Sequence, residues 1–368
     1  MARFHDWVDL AGSTFRSLDS NHVTGLYSVE WAEAKERLIE EHREQIEREP
    51  KRFNRTLRTA SAVMYGLTRR LAPARRLLFA IAVLLGIAGV VSLLVVHHDV
   101  PLERVAGIAA SLAILTLLLA LELIDKIKFR DELVLARELQ ADLLPRTLPE
   151  MDGFELSAHN EIANMVGGDI YDFIPLRNGR LAVLFGDASG HGMAAGLVMA
   201  VAHAAFRTQL EIDPTPEAMF STLNRILCRT GTSRSFFAGI YLLLSPDGTF
   251  ELIVAGHPPL LQLGHDGTVR RSIGLGAYPL GIKNEASWIR DSGAIVSGET
   301  LLLHSDGLAE ARSPQGEDFG YDRIALIAGR ATSLPADEML MAIVDEYKWF
   351  VARRPPEDDI SLAVIRGQ

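Results

Sequence analysis

The feature that most constrains this chain is a pair of apolar runs without a charged residue. Residues 77–96 form a run of 20 and residues 105–121 a run of 17. Helices of this length are long enough to cross the hydrocarbon core of a bilayer. Only HHDVPLER lies between the two runs. Such a short connection predicts an antiparallel transmembrane hairpin over residues 77–121.

The charges that flank the hairpin predict its orientation. Four arginines lie within residues 69–76 before the first run, and three basic residues lie within 126–130 after the second, whereas Arg104 is the single basic residue between them. Basic residues accumulate on the cytoplasmic side of a membrane protein. We therefore expect a multi-pass protein of the bacterial inner membrane with both termini in the cytoplasm. The alternative, a buried hairpin in a soluble protein, leaves the flanking arginines unexplained.

Composition excludes several classes of protein. The formal net charge of −10 argues against a nucleic-acid partner, because such proteins present a basic surface to phosphates. Cys228 is the one cysteine, which excludes an intrachain disulfide and a multi-cysteine zinc site. The first residues, MARFHDWVDL, lack the apolar core of a secretory signal, so we expect no cleavage.

The chain divides into four predicted regions. Residues 1–76 are rich in Glu, Lys and Arg and are predicted to be a cytoplasmic helical region, followed by the hairpin over 77–121. Residues 122–145 are a predicted helical connector that ends at Pro145. The connector has apolar positions at alternating four- and three-residue steps, which suggest a coiled coil and a homodimer without establishing either. Residues 146–368 have the composition of a globular domain.

Within the globular domain, short apolar runs are separated by turn signals such as PDG at 246–248 and HDG at 265–267. Helix-like stretches cover 193–210, 216–230 and 335–352. Antiparallel hairpins with inserted helices favour an α+β fold, in which helices cover sheets, over a parallel doubly wound fold.

Acidic residues recur at loop-like positions beside these strands. They occur in VGGDIYDF, FGDASGHG, HSDGLAEA and PPEDDISLAVIR, and the residues are Asp169, Asp172, Asp187, Asp306, Glu310, Asp358 and Asp359. An aspartate beside a glycine is common turn chemistry, so each occurrence alone is weak evidence. Together they form the set of oxygen ligands that suits Mg²⁺ or Mn²⁺. The neighbouring glycines would let the backbone approach the ions, and these are Gly167, Gly168, Gly186, Gly190 and Gly192.

Six ordered motifs resemble a known family. VGGDIYDF, GDASGHGMAA, FFAGIY, AGHPPLL, SDGLAEA and DDISLAVI are similar to the PPM-type metal-dependent serine/threonine protein phosphatases, in their bacterial SpoIIE-like branch of the RsbU kind. The resemblance covers about residues 140–368. It implies an α-β-β-α sandwich of two antiparallel sheets flanked by helices, here preceded by the transmembrane hairpin and a short connector helix.

The resemblance also implies a centre of two ions, Mn²⁺ or Mg²⁺. Asp187 would bridge them, and the backbone carbonyl of Ala188 would be a further ligand. Asp169 and Asp306 would bind one or both ions. In the last motif Asp358 is the better candidate ligand, with Asp359 its alternate.

The implied reaction is hydrolysis of a phosphoserine or phosphothreonine by activated water, without a covalent intermediate. His191 is a candidate to protonate the departing oxygen, and the alternative makes it a structural residue of the turn. His257 is expected to be structural. The implied partner is a phosphorylated protein, such as the anti-sigma-factor antagonist of a partner-switching pathway, supplied in trans.

Two other functions compete with this interpretation. VGGDIYDF is similar to the GGDEF signature of diguanylate cyclases, but Asp172 does not complete that acidic pair and the later motifs would have no role. The domain could also be a degenerate, membrane-tethered binding module, which the retention of every candidate metal position argues against. The sequence offers no clear candidate for an arginine that binds the substrate phosphate. Arg177 and Arg180 are expected to face solvent on a hairpin.

Overall fold

The structure is a computed structural model that describes residues 55, 58, 59, 61–63, 65, 68, 71–95, 102–231, 235–274 and 277–368. Most of the region predicted as cytoplasmic helix, residues 1–76, lies outside this set. The chain forms two compact units, 1–127 and 128–368.

The first unit contains two apolar helices that pack closely side by side. Helix α1 spans Pro73–Val95, and helix α2 begins at Leu102. Ser111 Oγ donates a hydrogen bond to the Ala82 carbonyl oxygen at 2.7 Å, and a Cβ added to Gly89 would lie 2.5 Å from Ile108. Such close contacts through small residues are typical of packed membrane helices. The order of these contacts along the two helices is antiparallel, as the predicted hairpin requires.

Both helices are long and apolar enough to cross a membrane by length and composition. Only 11% of each apolar window is buried within the structure, and large side chains such as Leu84 and Leu119 are exposed. Arg75 at the start of α1 forms ion pairs with Glu122 at 2.9 Å and Asp125 at 2.7 Å. These charges lie at the end of the hairpin where the sequence places its flanking basic residues.

Helix α2 is continuous over Leu102–Ala141, so the second apolar run and the connector are one helix. The sequence predicts a short connector helix after the hairpin, and in the structure this helix continues the second apolar helix without a break. Neither glycine nor proline occurs from 108 to 144, and the charged part is rich in strong helix formers. The apolar part of α2 suits a membrane and the charged part suits water, but the helical backbone continues through both.

The second unit contains two five-stranded sheets in which every paired strand is antiparallel. Sheet 1 has the order β1-β10-β9-β6-β7 and sheet 2 the order β2-β3-β4-β5-β8. The strands are β1 Phe154–Glu161, β2 Ile170–Pro175, β3 Leu181–Ala188, β4 Phe237–Leu244, β5 Thr249–Ala255, β6 Leu260–Leu263, β7 Val269–Ile273, β8 Arg290–Ala294, β9 Thr300–His304 and β10 Ile360–Gly367.

Helices cover the outer face of each sheet and so form four layers. The helices are α3 Met193–Ile212, α4 Pro216–Thr230, α5 Asp306–Ala309, α6 Tyr321–Arg330 and α7 Ala336–Phe350. Alternate residues of strand β3 pack on opposite faces of sheet 2. Leu181, Val183 and Phe185 pack between the sheets. Ala182 and Leu184 pack against α3 and α4. A third apolar cluster joins sheet 1 to α6 and α7. The predicted α-β-β-α sandwich is confirmed.

Candidate metal centre

Four acidic segments reach one edge of the sandwich from the ends of strands in both sheets. Asp187 is the penultimate residue of β3, and Asp169 directly precedes β2, which pairs with β3. Asp306 follows β9, and Asp358 precedes β10, which pairs with β9 in the other sheet. Antiparallel pairing therefore brings acidic residues that are far apart in sequence to neighbouring strand ends.

The charges of these side chains interact strongly around Asp187. Burial, together with the charges of three neighbouring carboxylates, raises the pKa of Asp187 to about 8. These neighbours are Asp306, Asp358 and Asp359. Carboxylates that share a site resist ionising together, whereas a nearby cation favours the charged form.

Asp169 is the most deeply buried of the acidic side chains, with 2% of its surface exposed. Burial, and then the charge of Asp187, raises its pKa well above the ordinary value, while the hydroxyls of Ser361 and Ser305 act in the opposite sense. Its Oδ2 atom is buried and has no hydrogen-bond partner among the described residues. A buried carboxylate oxygen without a partner is a strong candidate for a cation ligand.

The paired glycines allow this convergence. A Cβ on Gly168 would lie 2.6 Å from Asp187 Oδ1 and 2.7 Å from the Ala188 carbonyl oxygen. A Cβ on Gly167 would lie 2.4 Å from Asp359 Oδ2. Gly167 and Gly168 are therefore required because the acidic side chains pack directly on their backbone. Gly186 has a different reason, since it packs against the carbonyl of Ala238 in β4.

Two adjacent aspartates before β10 have different surroundings. Asp359 is buried, and its two carboxylate oxygens accept the backbone amides of Ala163 at 2.8 Å and Gly168 at 2.6 Å. Asp358 is exposed, and its Oδ1 accepts the amide of Asp359 at 2.8 Å. Burial raises the pKa of Asp358, as do the charges of Asp306 and Asp359. Only Asp358 therefore presents a carboxylate to the open side of the site.

The turn after β3 carries His191. Gly190 and Gly192 adopt φ angles of +94° and +66°, a conformation that glycine takes at no steric cost. His191 between them is exposed, and its charge opposes the rise in the pKa of Asp358. It therefore lies on the open side of the acidic cluster. His257, in contrast, is buried, and its Nδ1 lies 3.0 Å from the Pro258 carbonyl oxygen, which fits the structural role expected for it.

The donor set suits a hard divalent cation. It consists of carboxylates whose charges act on one another around Asp187, the backbone carbonyl of Ala188 and one buried, unpartnered oxygen of Asp169. Within the described residues, no group of three His, Cys, Asp or Glu side chains already has the arrangement of a finished metal site. The carboxylates thus converge and repel one another, and a cation would relieve that repulsion.

Not every predicted acidic residue joins the cluster. Asp172 is buried in β2, where its Oδ2 lies 2.8 Å from both His203 Nε2 and Arg207 Nε of α3. Glu310 is exposed and caps the end of α5. Asp172 therefore connects sheet 2 to α3 instead of belonging to the cluster. The signal for this role was His203, which interrupts the apolar first part of α3.

Sequence reasoning also missed Gln140 at the end of α2. Its side chain is 4% exposed and forms two hydrogen bonds with the backbone of Gly167, which directly precedes Gly168 and Asp169. Gln140 falls on the four- and three-residue spacing that predicts the coiled-coil stripe of the connector. A polar residue in such a stripe is a signal for a specific partner.

Comparisons with known proteins agree with this architecture. Residues 177–368, more than half of the chain, match the family model described as SpoIIE, Stage II sporulation protein E. Protein IcfG of Synechocystis sp. is 26% identical over 239 residues, which cover 56% of this chain but only 37% of IcfG. Phosphoserine phosphatase RsbU of Bacillus subtilis is 24% identical over 240 residues, which cover 65% of this chain and 71% of RsbU.

A solved structure supports the fold independently. The SiaA-PP2C domain of Pseudomonas aeruginosa superposes with a TM-score of 0.58 at 21% identity, covering 66% of this chain and 99% of that domain. The family resemblance predicted from the six motifs is therefore confirmed. This chain belongs to the SpoIIE family, and its second unit has the PP2C-type phosphatase fold.

Proposed function

We propose that this chain is a membrane-anchored, metal-dependent protein-serine/threonine phosphatase. The observation that carries the proposal is the convergence of acidic strand ends from both sheets at Asp187, where burial and the charges of its neighbours raise the pKa to about 8. Strongly perturbed carboxylates gathered at one site are typical of functional centres. The diguanylate cyclase alternative assigns no role to three of these segments, and the fold is that of a PP2C-type phosphatase.

The surroundings of each residue suggest its role. Asp187 would bridge two ions, Mn²⁺ or Mg²⁺, with the carbonyl of Ala188 beside it. Asp169, Asp306 and Asp358 would complete the ligand set. We assign Asp359 a positioning role, because both of its carboxylate oxygens already accept backbone amides of the loop that carries Asp169.

The chemistry then divides between the ions and the side chains. When bound, divalent ions activate water and neutralise charge on the phosphoryl oxygens. His191, exposed beside Asp358, would donate a proton to the departing serine or threonine oxygen. The hydrogen bond between Asp359 and Gly168 would hold the loops that carry the acidic residues in place during hydrolysis.

The substrate class comes from the family. RsbU is named as a phosphoserine phosphatase, and we assign this chain a phosphorylated signalling protein, an anti-sigma-factor antagonist, as its substrate. The substrate would bind in trans from the cytoplasm. Helices α1 and α2 would anchor the enzyme in the inner membrane with both termini in the cytoplasm, and the charged part of α2 would form the homodimer.

The decisive test is phosphate release by the full chain in detergent. The substrates are p-nitrophenyl phosphate, a phosphoserine peptide and GTP, each with MnCl₂, MgCl₂ or EDTA. We expect hydrolysis that requires the metal and falls about 100-fold or more in Asp187→Asn. Asp152→Asn, a change at an exposed aspartate outside the cluster, is the matched control. Full activity of Asp187→Asn would overturn the proposal, turnover of GTP instead would favour a cyclase, and no hydrolysis would favour a binding module.

A further inference from the structure

The turn between α7 and β10 presents three large side chains to solvent beside the metal centre. We name Trp349, Arg353 and Arg354 the α7–β10 rim. Trp349 is 77% exposed, and both arginines are exposed. In the part of the chain that the structure describes, neither arginine takes part in an ion pair. Exposed tryptophan and arginine are the residue types most enriched in the energetic centres of protein interfaces.

The backbone holds this rim in a defined shape. Ala352 and Arg353 have φ angles of +54° and +57°, an uncommon conformation for residues other than glycine. The amide of Arg353 donates to the Lys348 carbonyl oxygen at 2.8 Å. Pro355 restricts the backbone of Arg354 to an extended conformation. A surface ordered before binding loses less conformational entropy when a partner binds.

Arg354 lies between the metal centre and an outer groove. On the inner side it lines a cavity of about 260 Å³ together with Asp358 and Gly307, at the edge of the acidic cluster. On the outer side it lines a groove of about 670 Å³ with Trp349 and Arg353. A phosphoserine at the centre would therefore have its flanking residues within reach of the rim.

The charges of the outer groove favour an acidic ligand. Lys348 and Glu161 also line the groove and neutralise each other at 3.4 Å, and Asp345 is the other acidic residue in its lining. Arg353 and Arg354 leave the groove with a positive charge in a chain whose net charge is −10. The inner cavity differs, because three carboxylates and only two arginines line it, which disfavours an acidic ligand.

We propose that the α7–β10 rim docks the phosphoprotein substrate. Arg353 and Arg354 would bind acidic residues of the substrate that flank its phosphoserine, and Trp349 would pack against apolar parts of the same substrate segment. This inference rests on the phosphatase function proposed above and deepens it. The rim would select among phosphoproteins by the charge that flanks the phosphorylated residue. Charge complementarity of this kind contributes mainly to specificity.

Three phosphoserine peptides that differ only in their flanks test the proposal, with glutamate, alanine or lysine on both sides of the phosphoserine. The full chain in detergent with Mn²⁺ should show a kcat/KM about tenfold higher for the acidic peptide than for the basic one. In Arg353→Glu/Arg354→Glu the ratio should fall below one. An unfolded fraction lowers both kcat/KM values equally, so their ratio remains informative even if the variant folds poorly. A second variant, Arg353→Ala/Arg354→Ala, should give an intermediate ratio.

The control variant is Arg177→Glu/Arg330→Glu, which makes the same change in charge at two exposed arginines elsewhere on the domain. It should keep the ratio of the parent chain. Equal efficiency on all three peptides, or a ratio that the rim variants leave unchanged, would overturn the docking proposal while the phosphatase function stands. Absence of metal-dependent hydrolysis of p-nitrophenyl phosphate and of every peptide would instead refute the phosphatase function.

Discussion

The side-chain amide of Gln140 forms a matched pair of hydrogen bonds with the backbone of Gly167. Its Nε2 donates to the carbonyl oxygen at 2.8 Å, and its Oε1 accepts the amide at 2.9 Å. The last turn of α2 is thereby joined to the loop that carries Asp169. The predicted helical connector therefore contacts the backbone that leads directly into Gly168 and Asp169 of the candidate metal centre.

Replacing Gln140 by alanine should weaken the domain. Two buried backbone groups of Gly167 would lose their partners, and each loss costs about 1 to 3 kcal/mol. We expect the free energy of unfolding in urea to fall by about 2 kcal/mol or more. Glu138→Ala, an exposed change on the same turn, is the control and should alter stability by less than about 0.5 kcal/mol. Equal stability of the two variants would show that the contact contributes little.

Gly168→Ala should impair the metal centre more than the fold. The new Cβ would lie 2.6 Å from Asp187 Oδ1 and 2.7 Å from the Ala188 carbonyl oxygen, so both must shift. A displacement of about 1 Å at a catalytic group can cost about 100-fold in rate. We expect Mn²⁺-dependent hydrolysis of p-nitrophenyl phosphate to fall by about that factor and to need more Mn²⁺ for half of its maximal rate.

The matched control for this change is Gly107→Ala. Gly107 lies in α2 with its nearest neighbour, the Leu85 carbonyl oxygen, 4.0 Å from an added Cβ. Alanine there also favours the helix, so activity should be retained. If Gly168→Ala hydrolyses as fast as Gly107→Ala, the close packing of Asp187 on the glycine is not needed for catalysis.

The sandwich was predictable because its signals are local. The turns PDG and HDG were expected to close hairpins, and Gly248 and Gly267 adopt φ angles of +86° and +79° at the β4–β5 and β6–β7 turns. Helix α4 begins and ends where it was predicted, at Pro216 and Thr230. Acidic residues next to strand ends were visible for the same reason.

What could not be predicted depends on distant partners. Two adjacent aspartates look alike in sequence, yet Asp359 accepts the amide of Ala163, 196 residues earlier, whereas Asp358 faces the open site. The partner of Gln140 lies 27 residues away and is a backbone group, which no side-chain pattern reveals. The α7–β10 rim likewise depends on two positive φ angles at Ala352 and Arg353 that their residue types disfavour.

Asp172 and Arg207, which both belong to the cluster around the buried Asp172 carboxylate, should contribute unequally to stability. Asp172 is 1% exposed and bonds both partners, so Asp172→Asn weakens two charge-assisted hydrogen bonds in the interior. We expect a loss of about 2 to 3 kcal/mol in the free energy of unfolding. The side chain of Arg207 is 52% exposed, so Arg207→Ala should cost no more than about 1 kcal/mol. Urea denaturation of both variants checks the ranking, and an equal or reversed order would contradict it.

His257 should make the stability of the domain sensitive to acid. Burial lowers the pKa of His257 to about 3, whereas the unfolded chain titrates near 6.5. Between these values the unfolded state binds the extra proton, so stability is complete above pH 6.5 and falls as the pH decreases. Each pH unit below about 6 should remove up to about 1.4 kcal/mol. Urea denaturation at pH 7.5 and pH 5.0 measures this loss.

His257→Gln isolates the contribution of this residue, because all other titrating groups remain and cancel in the comparison with the parent chain. Between pH 7.5 and pH 5.0 the variant should lose about 1 to 2 kcal/mol less stability than the parent. His265→Gln, which removes an exposed histidine on the β6–β7 turn, should lose as much as the parent. An identical loss of stability in all three proteins would contradict this prediction. It would mean that His257 is protonated as readily in the folded domain as in the unfolded chain.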